Sequence, residues 1–392
     1  MSKVIVGMSG GVDSSLTAYI LKEQGYDVEG LSFILWEARQ RNDFTTCCSS
    51  QAIEDAARTA SQIGIPHSSV DVRDEFIEKV IEPFVDAYTK GRTPNPCILC
   101  NKYIKFPYLL KESGKKGAEF IATGHYARIE RKGSRVHPSQ CYGEWSQGAI
   151  HPSQFILRSA AENGCYGERK GSRATETLLK KGVDPKKDQS YFLYVLRQEE
   201  LNRLLLPLGD YKKEDVRKLA NKLGLPSAKR PESQEICFIE DKSYFKFINK
   251  INPLAGAAGP IMGINGNVLG EHKGIYNYTI GQRKGLGISS PSPLYVSKID
   301  AVKNIVYVGP QESAKIKEFE VQELNWLTSP IQAIRATVKV RSMMKAEPAI
   351  ISASPDSETV KVIFDEPQWA PAPGQSAVFY DEDIVIGGGI II

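Results

Sequence analysis

No stretch of the sequence approaches the ~20 consecutive apolar residues that cross a bilayer, so a helical membrane protein is excluded. A dominant charge sign is also lacking. Lys and Arg total 50 against 46 Asp and Glu, and the resulting +4 permits an anionic partner without establishing one. Cysteine is sparse, seven in 392 residues, which argues against a disulfide scaffold and leaves catalytic, metal-binding or incidental roles. The glycine-rich turn near the N-terminus lacks the Gly-Lys-Ser/Thr ending of a Walker A loop. Met1-Ser2-Lys3-Val4-Ile5-Val6 enters a strand-like run without signal-peptide architecture, and a cytoplasmic protein is expected.

What is present is a 41% apolar content, enough for real cores in a chain sized for two or three domains. Residues 3–7 read as a buried strand, Ser14–Glu23 as a helix and Tyr26–Leu35 as a second strand. Ser50–Ile63 follows as a helix packed through Ala52, Ala56, Ala57 and Ala60, then a strand at His67–Val72, a helix at Glu75–Tyr88 and a strand at Ala118–Thr123. This alternation predicts an α/β fold with a doubly wound parallel sheet. Lys212–Leu223 is a further amphipathic helix, and residues 250–290 are glycine-rich with short strands. From about Leu294 short apolar runs separated by turns predict a β-barrel or sandwich. The expected division is a catalytic domain over 1–210, a small central domain over 211–290 and a C-terminal β-barrel over 291–392.

Residues 131–173 interrupt this pattern. Short units recur irregularly, Arg131-Lys132-Gly133-Ser134-Arg135 at 169–173 and His137-Pro138-Ser139-Gln140 at 151–154, too irregularly for a solenoid. The segment reads as a surface insertion. A metal site from Cys141, Cys165, His137 and His151 ranks below that reading, because the spacing matches no standard zinc pattern.

Directly after the first strand comes Ser9-Gly10-Gly11-Val12-Asp13-Ser14. Two glycines let backbone N–H groups approach a phosphate, and the next helix offers its positive end. Asp13 is a candidate to position Mg2+ or a leaving pyrophosphate. The run resembles the PP-loop of ATP pyrophosphatases, which implies cleavage of ATP between the α- and β-phosphates and adenylation of a substrate. Further on, Gly91-Arg92-Thr93-Pro94-Asn95-Pro96 leads into Cys97-Ile98-Leu99-Cys100, and Cys237 stands alone in Glu235-Ile236-Cys237-Phe238. A Cys-x-x-Cys pair alone is ambiguous among a redox couple, half a zinc site and part of an iron–sulfur ligand set. Cys47-Cys48 is assigned a packing role.

Several ordered blocks are similar to the bacterial tRNA-specific 2-thiouridylases: Gly7–Ser14, Gly91–Asn101, Ala122-Thr123-Gly124-His125-Tyr126, Lys187-Asp188-Gln189-Ser190-Tyr191-Phe192, Thr279–Gly287 and Pro373–Tyr380. The resemblance covers the chain apart from the insertion. It implies that ATP adenylates O2 of a wobble uridine and that sulfur then displaces AMP. On this resemblance Gly7, Met8, Ser9, Gly10, Gly11, Val12, Asp13 and Ser14 hold the ATP phosphates, and Phe33 and Gly124 line the adenosine site. Asn95, Pro96 and Cys97 meet the target base, and His125, Lys187, Asp188, Gln189, Arg341, Ser342 and Gln375 contact tRNA. Cys100 takes the nucleophile position and Cys237 carries a persulfide.

Read from the residues alone, Arg335, Lys339 and Arg341 alternate on one strand face as a cationic strip suited to a phosphate backbone. Cys97 departs from the family, whose best-known members carry Asp there. It allows a second arrangement, in which Cys97, Cys100 and Cys237 hold a 4Fe–4S iron–sulfur cluster. The cluster ranks slightly ahead, because the persulfide route leaves Cys97 without a role. The implied cofactors are ATP and Mg2+. The implied partners are tRNA, with Lys, Glu and Gln tRNAs expected, and a sulfur donor such as a cysteine desulfurase or a sulfur-relay protein. The rival reading is another PP-loop ligase or amidase acting on a small molecule.

Overall fold

The computed structural model describes residues 1–36, 50–132, 176–229, 236–239, 243–252, 256–329, 333–353 and 358–392. Most of the expected insertion, from Gly133 onward, lies outside these residues, as do Cys47, Cys48, Cys141 and Cys165.

The N-terminal half is built on β1 (Lys3–Gly7), β2 (Asp27–Ile34), β3 (His67–Asp71) and β4 (Phe120–Ala122). A hairpin of β5 (Ala127–Arg131) and β6 (Thr177–Lys181) precedes the short β7 (Leu204–Leu205). Strands β3-β2-β1-β4-β7 pair in that order, all in parallel. Val4, Ile5 and Val6 are fully buried, as a central strand covered on both faces requires. Ala52, Ala56 and Ala60 of helix Ser50–Ile63 are likewise buried, their small side chains permitting close approach. The strand order reverses at β1, which puts the loop after it at the sheet's switch point, where open α/β sheets bind ligands.

A second sheet has the order β10-β11-β8-β9, from β8 (Gly259–Gly263), β9 (Val268–His272), β10 (Tyr295–Asp300) and β11 (Ile305–Gly309). The sequence reading grouped β10 and β11 with the C-terminal strands. They pair here with β8 because Val296, Val306 and Val308 share a small core with Ile261 and Tyr278.

The C-terminal strands are β12 (Lys315–Trp326), β13 (Ala333–Lys339), β14 (Glu347–Ala353), β15 (Val360–Trp369), β16 (Ser376–Asp381) and β17 (Ile384–Ile391). They run β12-β15-β14-β13-β16-β17, and β12 pairs with β17 to close a barrel. Closure removes the exposed sheet edges. The β5–β6 hairpin docks on β17 at Ile384↔Lys180, so the N-terminal half contributes strands to the barrel's sheet.

One continuous apolar cluster joins the two halves. It runs from Ile5, Leu31 and Ile121 of the parallel sheet through Tyr191, Tyr194 and Leu196 to Val378, Tyr380 and Val385 of the barrel. The polar tips of its tyrosines are satisfied. Tyr191 Oη donates to the Ser376 carbonyl at 2.9 Å, and Tyr194 Oη meets Ser376 Oγ at 2.9 Å. Burial pushes the phenols of Tyr191, Tyr194 and Tyr380 upward, which keeps them neutral.

Arg131 and Thr177 are register partners in the hairpin, and Lys132 N donates to Glu176 O at 2.9 Å. Replacing residues 136–173 with a short Gly/Ser turn is therefore expected to leave the melting temperature within about 2 °C. A calorimetric loss of the folding transition would contradict this.

Candidate active site

The loop after β1 ends in helix Val12–Glu23, whose N-cap is Gly11 with no side-chain cap. The first-turn N–H groups are thus left for an anion. The loop is held in shape by its own hydroxyls. Ser9 N donates to Ser14 Oγ at 3.1 Å, Ser14 Oγ to Gly11 O at 3.1 Å and Ser15 Oγ to Gly11 O at 2.9 Å. From the neighbouring strand, Ser32 Oγ donates to Met8 O at 2.7 Å.

The loop opens on a cleft of about 230 Å³. Of the residues expected at the nucleotide, Gly7, Met8, Ser9, Asp13, Ser14, Phe33 and Gly124 line it. Gly10, Gly11 and Val12 belong to the loop without being among the lining residues. Gly124 lies so close to the loop that a Cβ would stand 2.8 Å from the Asp13 carbonyl carbon and the Ser14 nitrogen. Lys105 also lines the cleft, and the sequence reading missed it. In Asn101-Lys102-Tyr103-Ile104-Lys105 nothing distinguishes that lysine from a solvated helix face.

Asp13 is engaged from behind. Lys213 Nζ donates to both carboxylate oxygens at 2.7 Å, and Tyr126 Oη donates to Oδ1 at 2.7 Å. The Lys213 side chain is only 9% exposed, so this charge pair is fixed rather than floating. Oδ1 receives two donors and Oδ2 one, which leaves acceptor capacity on Oδ2. One carboxylate plus substrate phosphates and water is a usual donor set for Mg2+, so the residues fit that ion arriving with ATP.

His125, expected at tRNA, lines this cleft. Its Nδ1 is 2.7 Å from Thr123 Oγ1, and its ring stacks on Phe106 at 5.9 Å. Desolvation, then the nearby Lys105 charge, pulls its pKa down to about 3. Gln189 also lines the cleft and is tied to Tyr126 in both directions: Gln189 N donates to Tyr126 O at 2.8 Å, and Tyr126 N donates to Gln189 Oε1 at 2.9 Å. Asp188 faces inward, its side chain 6% exposed, and accepts from Gly182 N, Ser190 N and Ser190 Oγ at 3.0–3.1 Å. Lys187 is half-buried next to it.

Of the three cations in the strip, Lys339 and Arg341 are engaged within the fold, while the Arg335 side chain is 65% exposed. Arg335 pairs with Asp365 at 2.5 Å, and Lys339 turns toward Asp188 at 4.0 Å with its side chain 11% exposed. Arg341 donates to Ile280 O at 2.9 Å and Ala370 O at 3.0 Å, bolting the central segment to the barrel. Gln375 Nε2 donates to Thr93 O at 2.8 Å. Ser342 is half-buried beside Arg341.

The cysteine segment forms a short helix, Pro96–Cys100, with Pro96 at its first turn and Asn95 as N-cap, Oδ1 accepting from Cys97 N at 3.2 Å. A π-helical turn, Asn101–Lys105, and helix Phe106–Lys115 continue it. Cys97 is exposed and Cys100 buried. Cys100 belongs to an apolar cluster with Phe76, Phe84 and Phe238, and Cys237 packs against that same cluster. Among the described residues no three His, Cys, Asp or Glu side chains are grouped as metal ligands. The trio expected to hold a cluster differs in exposure: Cys97 is exposed, whereas Cys100 is buried in the apolar cluster against which Cys237 packs.

Residues 2–142 and 156–241 match the family described as tRNA methyl transferase HUP domain. Residues 246–310 match the tRNA methyl transferase PRC-barrel domain, and 316–391 the aminomethyltransferase β-barrel domain. The chain is 47% identical over 395 residues to tRNA-specific 2-thiouridylase MnmA 1 of Caldanaerobacter subterraneus subsp. tengcongensis, covering 100% of this chain and 98% of the relative. It is 42% identical over 392 residues to tRNA-specific 2-thiouridylase MnmA of Clostridioides difficile, covering 99% and 98%.

The lowered pKa of His125 has a definite sign. The folded ring stays neutral while the unfolded chain takes up a proton near pH 6.5, so its stabilising contribution is complete above 6.5 and is lost as pH falls toward 3. In a proton NMR titration the His125 ring signals should show no protonation step between about pH 8 and 5, and a midpoint near 6.5 would contradict the desolvated site.

Proposed function

The chain belongs to the tRNA-specific 2-thiouridylase family, and from that premise we propose that it uses ATP to activate O2 of a tRNA wobble uridine and replaces that oxygen with sulfur. The observation that carries this reading is a single helical run. Cys100 lies in its first segment, and Lys105 and Leu109 of the same run line the nucleotide cleft. Lys105 is five positions after Cys100, roughly 7 Å along a helix axis, so the sulfur chemistry and the ATP are within one substrate's reach.

In the first half-reaction the first-turn N–H groups, Ser9 and Ser14 hold the phosphates, and Lys105 adds positive charge at the cleft. The uridine O2 attacks the α-phosphorus, pyrophosphate leaves, and C2 acquires AMP as a good leaving group. Asp13, oriented by Lys213 and Tyr126, offers Oδ2 to Mg2+ brought with ATP, which would neutralise phosphate charge.

In the second, the outer sulfur of a Cys237 persulfide attacks C2 and expels AMP, leaving an enzyme–disulfide–uridine adduct. The Cys100 thiolate then attacks the Cys237 sulfur. The S–S bond to the nucleoside breaks, its electron pair forms the thiocarbonyl of 2-thiouridine, and a Cys100–Cys237 disulfide remains. A thiol reductant restores the two thiols, and a sulfur donor reloads Cys237. The apolar cluster shared by Cys100 and Cys237 favours this route over the iron–sulfur one. The substrate tRNAs are those for Lys, Glu and Gln, the donor is a desulfurase or relay protein, and the enzyme works in the cytoplasm. No helix among the described residues is long and apolar enough to cross a membrane.

An anaerobic thiolation assay on wobble-uridine tRNA, with iron and sulfide counted in the same sample, tests this. Cys100→Ala and Cys237→Ala should each lower thiolation by at least ~1,000-fold while tRNA-dependent pyrophosphate release persists, and Cys97→Asp should stay within about threefold. Activity proportional to bound iron and abolished by Cys97→Asp would restore the cluster reading. AMP release indifferent to tRNA would instead favour a small-molecule ligase.

A further inference from the structure

The loop leading to the cysteine helix is gripped by the barrel. Thr93 N donates to Pro373 O at 2.8 Å, and Gln375 Nε2 returns a bond to Thr93 O at 2.8 Å. Both polar groups of the Thr93 backbone are thus bonded to one turn of the C-terminal domain. Gly374, between the two partners, has φ +89°, and a Cβ there would stand 3.0 Å from Arg92 Cβ and from Thr93 N. The turn is glycine because the loop lies directly on it.

The barrel side of this grip is itself anchored. Gly374 N donates to Ile391 O, and Ile391 N to Gln375 O, each at 2.9 Å, which ties the turn to the last strand. The loop side is stiff. Pro94 and Pro96 flank Asn95, and proline fixes its own φ near −65°. Asn95 then starts the cysteine helix, its Oδ1 accepting from Cys97 N and its carbonyl from Ile98 N, both at 3.2 Å. Displacement of Thr93 is therefore transmitted to the helix that carries Cys100.

We propose that Gln375 is a positioning residue for sulfur transfer, holding the Thr93 carbonyl so that the Asn95-capped helix aims Cys100 at the reacting sulfur. This rests on the reading that Cys100 takes part in that step. It also changes the assignment of Gln375, which family resemblance puts at a tRNA contact. A tRNA contact acts on binding, whereas a positioning residue acts on turnover, because a misplacement of ~1 Å costs up to ~100-fold in rate with little change in affinity.

The test is Gln375→Met, which keeps the side chain's length and removes its donor, paired with Gly374→Ala, which disturbs the same contact from the backbone. Each is assayed for thiolation against tRNA concentration, for tRNA-dependent pyrophosphate release and for thermal melting. The expected result for both is a thiolation kcat lowered about tenfold, with the KM for tRNA and the pyrophosphate-release rate within about twofold, and for Gln375→Met melting within about 2 °C. A raised tRNA KM at unchanged kcat would make Gln375 a tRNA contact and overturn the proposal. So would two unchanged constants, or, in Gln375→Met, a rate loss that follows a fall in melting temperature. Cys100→Ala reports separately on the underlying reading, since its retained activity would sink the cysteine route without altering what the Gln375 constants say about tRNA.

Discussion

The carboxylate of Asp188 sits where the two halves of the molecule meet, and burying it there forces much of what surrounds it. With its side chain 6% exposed, it draws in Gly182 N, Ser190 N and Ser190 Oγ, and it faces the Lys339 ammonium across 4.0 Å. Desolvation lowers the Lys339 pKa, Asp188 raises it in return and Lys181 opposes that. Asp188 thereby orders the turn from Gly182 to Ser190. Just beyond it, Tyr191 and Tyr194 enter the barrel and bond Ser376, and Asn325 Nδ2 of β12 holds the Tyr194 carbonyl at 2.5 Å. The same segment reaches back to the chemistry: Asn101, next to Cys100, donates from Nδ2 to Phe192 O at 2.9 Å. The cysteine helix is consequently held at its rear by this brace and at its front by the Thr93–Gln375 contact.

The nucleotide end depends on the same segment. Gln189 follows Asp188 and locks Tyr126 through two backbone-directed bonds, and Tyr126 in turn donates to Asp13. A carboxylate in the first turn of a helix suits the helix dipole but repels a polyphosphate. Lys213, fixed behind Asp13, offsets that repulsion and leaves the cleft side to the ligand. From Asp188 two short paths therefore run, one to the phosphate loop and one to Cys100. The C-terminal barrel in this sense helps to hold both the loop after β1 and the cysteine helix in place.

The glycine-rich loop after β1 was legible in the sequence because its signal is local: six contiguous residues between a strand and a helix. The parallel sheet was legible for a similar reason, its strands being short apolar runs with helices between them. The internal partners of single polar residues were not. Asp188, Gln189, Arg341 and Gln375 were expected at tRNA, and polarity and spacing cannot reveal the hydrogen bonds that each makes within the fold. Only the fold brings Lys339 against Asp188 or Arg341 against the carbonyls of Ile280 and Ala370. The stacking of His125 on Phe106, which joins distant segments, was likewise not readable from its own block. The sequence could set Cys97 apart from Cys100 and Cys237 only by resemblance; their difference in exposure and the apolar cluster next to Cys100 and Cys237 appear only in the fold.

Amide hydrogen exchange on Asp188→Ala, compared with the unsubstituted protein, tests most directly whether the barrel-seated brace holds the cysteine helix. Loss of the carboxylate leaves the Gly182 and Ser190 amides without their buried acceptor, a cost of about 1–3 kcal/mol. If the brace supports the helix, exchange should accelerate in Cys97–Asn101 as well as in Gly182–Phe192. Acceleration confined to Gly182–Phe192, with Cys97–Asn101 as protected as before, would contradict it.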